Sequence, residues 1–295
     1  MTQLRIAWIG AGKMGLPICK RLKAGGHDVA ILGRRPDQNA KLAELGFAVE
    51  ASVPDLMPDA DVVFTCVPDD QVLAEIVLNE AFNTALPRSA AFIDMSTVSP
   101  SVSEKVAAHL PNSVAYLRSP VSGSTTMAEV GTLTALVSGP RTSFDAMAGL
   151  FAMFTKKAFH LGEAEEARYL KLAINSMVAA TSVLMGEALA FGLKGGLTHE
   201  AMLEVIMQSA VASPLIGYKQ EMIVRGDYRP AATLNMLMKD LDLLLSASRD
   251  QKTQLPVNGV IRQVYKSAAD KGLGEEDFFV LVREAERSAG VISNA

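Results

Sequence analysis

The sequence predicts an α/β fold in which a doubly wound parallel sheet domain is followed by an all-helical domain. Three observations predict it. The apolar run Ile6-Ala7-Trp8-Ile9 leads into Gly10-Ala11-Gly12-Lys13-Met14-Gly15 and then into a helix-like stretch at 16–25. Short apolar runs alternate with helical stretches as far as residue 162, the pattern of parallel strands covered by helices on both faces. Beyond that residue strand-like runs disappear, and only long segments of helical period remain.

Taken in order, strands are expected at 4–9, 28–32, 61–67, 90–95 and 132–137, and helices at 16–25, 36–45, 70–78 and 100–109. The second half predicts helices over 163–193, 199–210, 214–225, 231–250, 256–270 and 275–289. Breakers separate them at Gly195-Gly196, Pro214, Pro230, Pro256 and Gly272–Gly274, and Thr198 is the expected N-cap of the helix at His199. The expected domains are therefore 1–162 and 163–295. At ~1.5 Å per residue the segment 163–193 makes a helix of roughly 45 Å, more than one small domain needs. It suits a connector with part of its apolar surface covered by another subunit, so a homodimer or homotetramer is expected. Its apolar core, Leu170 to Leu193, carries Lys171, Asn175 and Glu187, which predicts a buried helix and no membrane association.

The 295 residues are 49% hydrophobic and 20% charged, ordinary for a compact protein of about two domains. With 28 basic against 32 acidic residues the chain lacks the positive field that nucleic-acid binding needs. Cys19 and Cys66 both lie in apolar neighbourhoods and read as buried small hydrophobes in a reducing compartment, with no disulfide and no metal site. The first apolar run is too short for a secretory signal, so a cytoplasmic location is expected.

A strand, then Gly-x-Gly-x-x-Gly, then a helix is the context in which this glycine pattern means dinucleotide binding. Gly10 permits the tight turn, Gly12 lets backbone approach a pyrophosphate, and Gly15 allows close helix packing, with Lys13 and Met14 inside the loop. The resulting Rossmann-type domain needs a group at the end of its second strand to meet the ribose. An NAD-type site uses a carboxylate there. Here the strand Asp28–Leu32 ends in Gly33-Arg34-Arg35-Pro36, and two guanidinium groups suit a 2′-phosphate. NADP(H) is the expected cofactor, with Arg34 favoured because it lies nearer the strand end; the alternative is a solvated basic turn. Val67-Pro68 and Ser96-Thr97 end two further strands at the same sheet edge and are expected beside the nicotinamide half. Pro68 alone would be a strand terminator, and Ser96 and Thr97 alone would be helix caps.

Lys171 and Asn175 are four residues apart and share one helix face among Leu170, Leu172, Ile174, Met177 and Val178. Desolvation there disfavours an ammonium and readies it to pass a proton. The competing reading is a snorkelling lysine.

The ordered stretches RIAWIGAGKMGLPICKRL, IDMSTVSP at 93–100, SPVSGS at 119–124, VGTLTALVSG at 130–139, KLAIN at 171–175 and MKDLDL at 238–243 resemble the β-hydroxyacid dehydrogenase family, over about residues 4–289. Its familiar members are 3-hydroxyisobutyrate dehydrogenases and tartronate semialdehyde reductases. The resemblance implies that Lys171 is the catalytic general acid/base, Asn175 a substrate residue, and Ser122 and Gly123 the grip on a substrate carboxylate. It also implies that Lys239 and Thr97 reach the cofactor. For Ser122-Gly123 the alternative is a plain turn, and for Lys239-Asp240 an exposed helix pair.

Two departures stand out. Ser124-Thr125-Thr126 follows where the family commonly has another glycine, and Glu165 and Ala167 replace glycines usual ahead of the lysine. The implied activity is an NADPH-preferring oxidoreductase that interconverts a small β-hydroxy acid and its aldehyde or keto acid. The alternatives are an imine reductase or reductive aminase, whose members commonly lack the lysine, and a non-catalytic NADPH-binding module.

Overall fold

The computed structural model describes residues 2–291. Its strands are β1 (Arg5–Ile9), β2 (Asp28–Leu32), β3 (Ala48–Glu50), β4 (Val62–Thr65), β5 (Ala91–Asp94), β6 (Ala115–Arg118), β7 (Val121–Ser122), β8 (Leu133–Val137) and β9 (Thr155–His160). Helices among them are α1 (Gly15–Ala24), α2 (Pro36–Glu44), α3 (Val53–Leu56), α4 (Asp70–Val77), α5 (Glu80–Ala85), α6 (Pro100–His109), α7 (Thr125–Val130) and α8 (Arg141–Phe151). The helical half comprises α9 (Glu166–Lys194), α10 (His199–Gln208), α11 (Pro214–Arg225), α12 (Leu234–Asp250), α13 (Pro256–Ala268), running into a π turn at Ala269–Leu273, and α14 (Val280–Ser288). By compactness the chain divides into Met1–Lys171 and Leu172–Ala295.

In the first unit six strands form one sheet in the order β3-β2-β1-β4-β5-β6, every pair parallel. The order reverses between β1 and β4, the switch point where such sheets bind ligands beyond the carboxyl ends of their strands. β1, β4 and β5 carry continuous apolar runs at Ile6–Ile9, Val62–Phe64 and Ala91–Ile93 because both their faces are covered. Alternation along β1 sends Ile6 and Trp8 into one core layer and Ala7 and Ile9 into the other. Trp8 stacks on Phe64 of β4 at 4.8 Å between ring centres, which fixes the register of the two central strands.

A second, three-stranded sheet follows, with β7 antiparallel to β8 and β8 parallel to β9. The sequence reading placed β8 but missed β3, β6, β7 and β9, and it missed α3, α5, α7 and α8. β3 and β7 are too short to show a period. β9 carries exposed Lys156 and Lys157 on an edge and lacks the apolar run that marks a buried strand.

Among the described residues the regular elements of the second unit are all helices, with one isolated antiparallel bridge between Thr233 and Asp277. Thr198 caps α10 by accepting from Ala201 N, as expected. α12 begins at Leu234, later than the expected 231, because Thr233 is its N-cap. α14 begins at Val280, later than the expected 275, because Asp277 is used in a turn. Its carboxylate accepts from Phe279 N and pairs with Lys219 at 2.6 Å, both side chains at most 3% exposed. Burial pulls the Lys219 ammonium below its ordinary pKa, and Asp277 opposes that shift.

α9, at 29 residues, starts at Glu166 rather than 163. By length and composition alone it would suffice to cross a bilayer, with mean hydropathy 1.5 over its most apolar window, 44% of which is buried in the protein. Contrary to the expectation of a buried helix, one side carries exposed Leu170, Met177, Leu184 and Phe191.

Candidate dinucleotide and proton-transfer site

The glycine loop takes its shape from two close approaches. Gly10 has φ +98°, and a Cβ there would lie 2.2 Å from the Cys66 carbonyl oxygen at the end of β4. A Cβ on Gly15 would lie 2.3 Å from Gly10 O, so α1 can begin this close to β1 only without a side chain. Gly12 is the contrast, since nothing lies within 4 Å of where its Cβ would be. That open cradle, ahead of a helix whose N-terminus has no side-chain cap, fits a pyrophosphate held by backbone N–H groups. Gln38 of α2 steadies the loop by donating to Ala11 O at 3.0 Å.

Exposed Arg34 and Arg35 stand between β2 and α2. Arg35 lines a recess of about 1020 Å³ together with Gly12, Lys13, Lys20 and Gln38. Lys13 is exposed and Met14 partly buried.

The tips of β4 and β5 are joined to each other. Ser96 Oγ accepts from Val67 N at 2.9 Å, so Ser96 acts as a strut between the tips and not as a helix cap. The cap of α6 is Ser99, which accepts from Val102 N. Asp94 Oδ1 accepts from Thr65 Oγ1 at 2.7 Å and from Ser96 N at 3.0 Å. Val67 is buried, Pro68 is exposed and Thr97 lies partly open on the same tips. Cys66, partly buried rather than fully so, has its thiol pushed up to about 12 by burial and by the nearby Asp94 charge.

The other oxygen of Asp94 meets a residue that the sequence reading missed. Arg168, in the first turn of α9, donates to Asp94 Oδ2 at 2.5 Å, with the two side chains 1% and 0% exposed. It also donates to Ser96 O at 2.6 Å, Tyr116 Oη at 3.1 Å and Ser103 Oγ at 3.3 Å. Burial opposes its charge, but Asp94 and Tyr116 outweigh burial and raise its pKa. The Tyr116 phenol is itself pushed up to about 12, chiefly by burial. Three residues upstream a second buried pair joins Glu165 to Arg118 of β6 at 2.6 Å.

Lys171 follows Arg168 by three residues and is half-buried. Leu170 and Met177, read as part of its apolar surroundings, are instead 38% and 70% exposed on another side of the helix. Asn175, one turn beyond Lys171, donates to Asp240 Oδ2 at 2.6 Å. Asp240 is buried and pairs with the partly buried Lys239 at 3.0 Å, so Lys239-Asp240 is not an exposed pair. Ser122 closes β7 and Gly123 follows at φ +136°, where a Cβ would lie 2.7 Å from Leu133 Cδ2. Ser124, in place of a further glycine, caps α7 by accepting from Met127 N.

Residues 5–162 match the model of the NAD binding domain of 6-phosphogluconate dehydrogenase, and residues 166–285 that of the NAD-binding domain of NADP-dependent 3-hydroxyisobutyrate dehydrogenase. The chain is 30% identical to the cytokine-like nuclear factor N-PAC of Anopheles gambiae over 94% of its own length, but spans about half (49%) of that relative. It is 28% identical to 2-(hydroxymethyl)glutarate dehydrogenase of Eubacterium barkeri, over 98% of this chain and 97% of that one. Among solved structures it resembles the Mycobacterium tuberculosis 3-hydroxyisobutyrate dehydrogenase studied with L-serine, at TM-score 0.85 and 25% identity, covering 96% of this chain and 99% of that one.

The open and the crowded glycine positions of the loop are separable by mutation. Gly12→Ala is expected to leave the melting temperature unchanged and to weaken binding of the reduced nicotinamide dinucleotide, measured by fluorescence titration, by about tenfold or more. Gly10→Ala is expected to lower the melting temperature, because the clash lies within the fold.

Proposed function

The chain belongs to the β-hydroxyacid dehydrogenase family, and on that premise we propose an NADPH-preferring oxidoreductase that interconverts a small β-hydroxy acid and its aldehyde or keto acid. The observation that carries the reading is KLAIN on α9, with Lys171 and Asn175 one turn apart and Asn175 oriented by Asp240. When bound, the nicotinamide supplies or accepts the hydride. Lys171 gives its proton to the substrate oxygen as a carbonyl is reduced and takes it back in the reverse direction. The Ser122 hydroxyl and the Gly123 N–H donate to the substrate carboxylate, and Asn175 presents its amide to the substrate. Gly12, Lys13, Met14, Val67, Pro68, Thr97 and Lys239 hold the cofactor. Arg34 and Arg35 hold its 2′-phosphate, a reading supported by the absence of any carboxylate at 33–36.

We further propose that two copies pack through α9. The exposed Leu170, Met177, Leu184 and Phe191 recur every seven residues and so form one stripe along the helix. An antiparallel pairing about Ala180–Thr181 is self-complementary. It sets Leu170 of one copy on Phe191 of the other, Met177 on Leu184, and exposed Lys194 near exposed Glu166.

The rival enzyme reading, an imine reductase, is opposed by the lysine. A non-catalytic module predicts NADPH binding with no turnover of any aldehyde acid. Three measurements decide among these readings. Lys171→Ala is expected to lower kcat on 3-hydroxyisobutyrate or tartronate semialdehyde by about 10²–10⁴-fold while NADPH still binds; undiminished turnover rules out Lys171 as the proton carrier. Replacing Arg34 and Arg35 by Ala is expected to cut kcat/KM for NADPH by about 10–100-fold and leave that for NADH within a few-fold. The double variant Met177→Glu with Leu184→Glu is expected to sediment as a monomer where the unaltered chain sediments as a dimer.

A further inference from the structure

We infer that Arg168 is a positioning residue for the reaction: it fixes the first turn of α9, and with it Lys171, to the strand tips that carry the cofactor residues. The inference rests on the reading of Lys171 as proton carrier.

The geometry is a continuous chain of short contacts. Arg168 spends four of its N–H donors on four partners from three elements: Asp94 and Ser96 at the end of β5, Ser103 on α6 and Tyr116 on β6. Ser96, gripped through its carbonyl, holds Val67 N through its hydroxyl. Asp94, gripped through one oxygen, holds Thr65 and Ser96 N through the other. One guanidinium therefore joins the helix to the ends of both β4 and β5. Thr97 follows Ser96 directly, and Pro68 follows Val67. Lys171 lies ~4.5 Å further along α9 and on a neighbouring face of the same turn.

Stability alone is a poor account of this arrangement. Taking two charges out of water costs several kcal/mol, and well-packed apolar residues of similar volume often do as well or better. A cation in the first turn of a helix also faces the unfavourable end of the helix dipole. What an apolar contact lacks is direction. Four donors in a rigid plane set the helix in one rotation and at one height, and about 1 Å of misplacement can cost 10²-fold in rate. The second pair, Glu165 with Arg118, reverses the charges and clasps the preceding turn to β6, so the entry to α9 is held on two strands.

The test is a double-mutant cycle on NADPH and tartronate semialdehyde using the whole chain. Arg168→Met is expected to lower kcat by about 100-fold, with the dissociation constant for NADPH and KM within about threefold of the starting values. In the Lys171→Ala background the same substitution is expected to change kcat by less than about threefold, because the group it positions is gone. A purely structural Arg168 predicts a lower melting temperature with unchanged kcat per folded molecule, and that result overturns the inference. Equal losses in both backgrounds also overturn it. If Lys171→Ala alone leaves turnover intact, the proton-carrier reading fails first, whatever Arg168 does. Should Arg168→Met not fold, Tyr116→Phe and Ser103→Ala carry the test. Each loosens the guanidinium without leaving it bare, and each is expected to lower kcat several-fold at unchanged NADPH affinity; an unaltered kcat in both refutes the proposal.

Discussion

The contact between Arg168 and Asp94, 2.5 Å long and almost wholly out of water, is the constraint on which the arrangement of the first unit's ligand-facing edge depends. A parallel sheet buried on both faces exposes its chemistry only where strands end, so the tips need internal support. Here polar groups supply it. Thr65, Asp94 and Ser96 are all buried, and each is satisfied by a neighbour on the adjoining tip or by Arg168. Removing either charge leaves the other uncompensated inside the protein, which costs about 3–5 kcal/mol. The network is therefore all or nothing, which suits a scaffold that must hold several ligand contacts at one spacing.

The two departures from the family pattern gain a physical account from the same region. Where glycines commonly precede the lysine, this chain has Glu165 paired with Arg118 and a fully buried Ala167. Ser138 closes the arrangement: its hydroxyl donates to Ala164 O and accepts from Ala167 N. The entry to the helix is thereby clasped. Ser124 acts similarly at the other loop, capping α7 directly after Gly123. Ser124 at one departure and Glu165 at the other bond within the fold and order the backbone.

The sequence disclosed those parts of the fold that local patterns specify. The central strands were legible because double burial makes them apolar up to the polar residue that ends each, and α10 because its cap lies beside its first turn. The glycine loop was legible because Gly10 and Gly15 answer contacts within the motif or its neighbouring strand, and Gly12 between them leaves the backbone bare. Arg168 was not, since its partner lies 74 residues away and a lone arginine in a helix ordinarily reads as solvated. Asp240 stayed hidden for the same reason, 65 residues from Asn175. Ser96 was offered as a helix cap because a serine before Pro100 fits that role, but Ser99 stands nearer and takes it.

The character of α9 follows from serving two sides at once. At ~100° per residue, Lys171 and Asn175 point roughly 100–200° away from the stripe of Leu170, Met177, Leu184 and Phe191. Between them the helix buries Leu172, Ala179 and Val183 in the protein. A helix that is apolar toward its own core and apolar again along an outer seam has little circumference left for charge. Its high mean hydropathy is then the sum of two separate apolar faces, which composition cannot tell from a membrane span. The few polar residues that remain are correspondingly informative. Lys171 and Asn175 lie on the inward side of the helix, at about the bearing that Ser182 and Leu189 occupy further along in full burial, and a lysine placed there displaces apolar surface. That is the sense in which the position of Lys171, more than its identity, argues for chemistry.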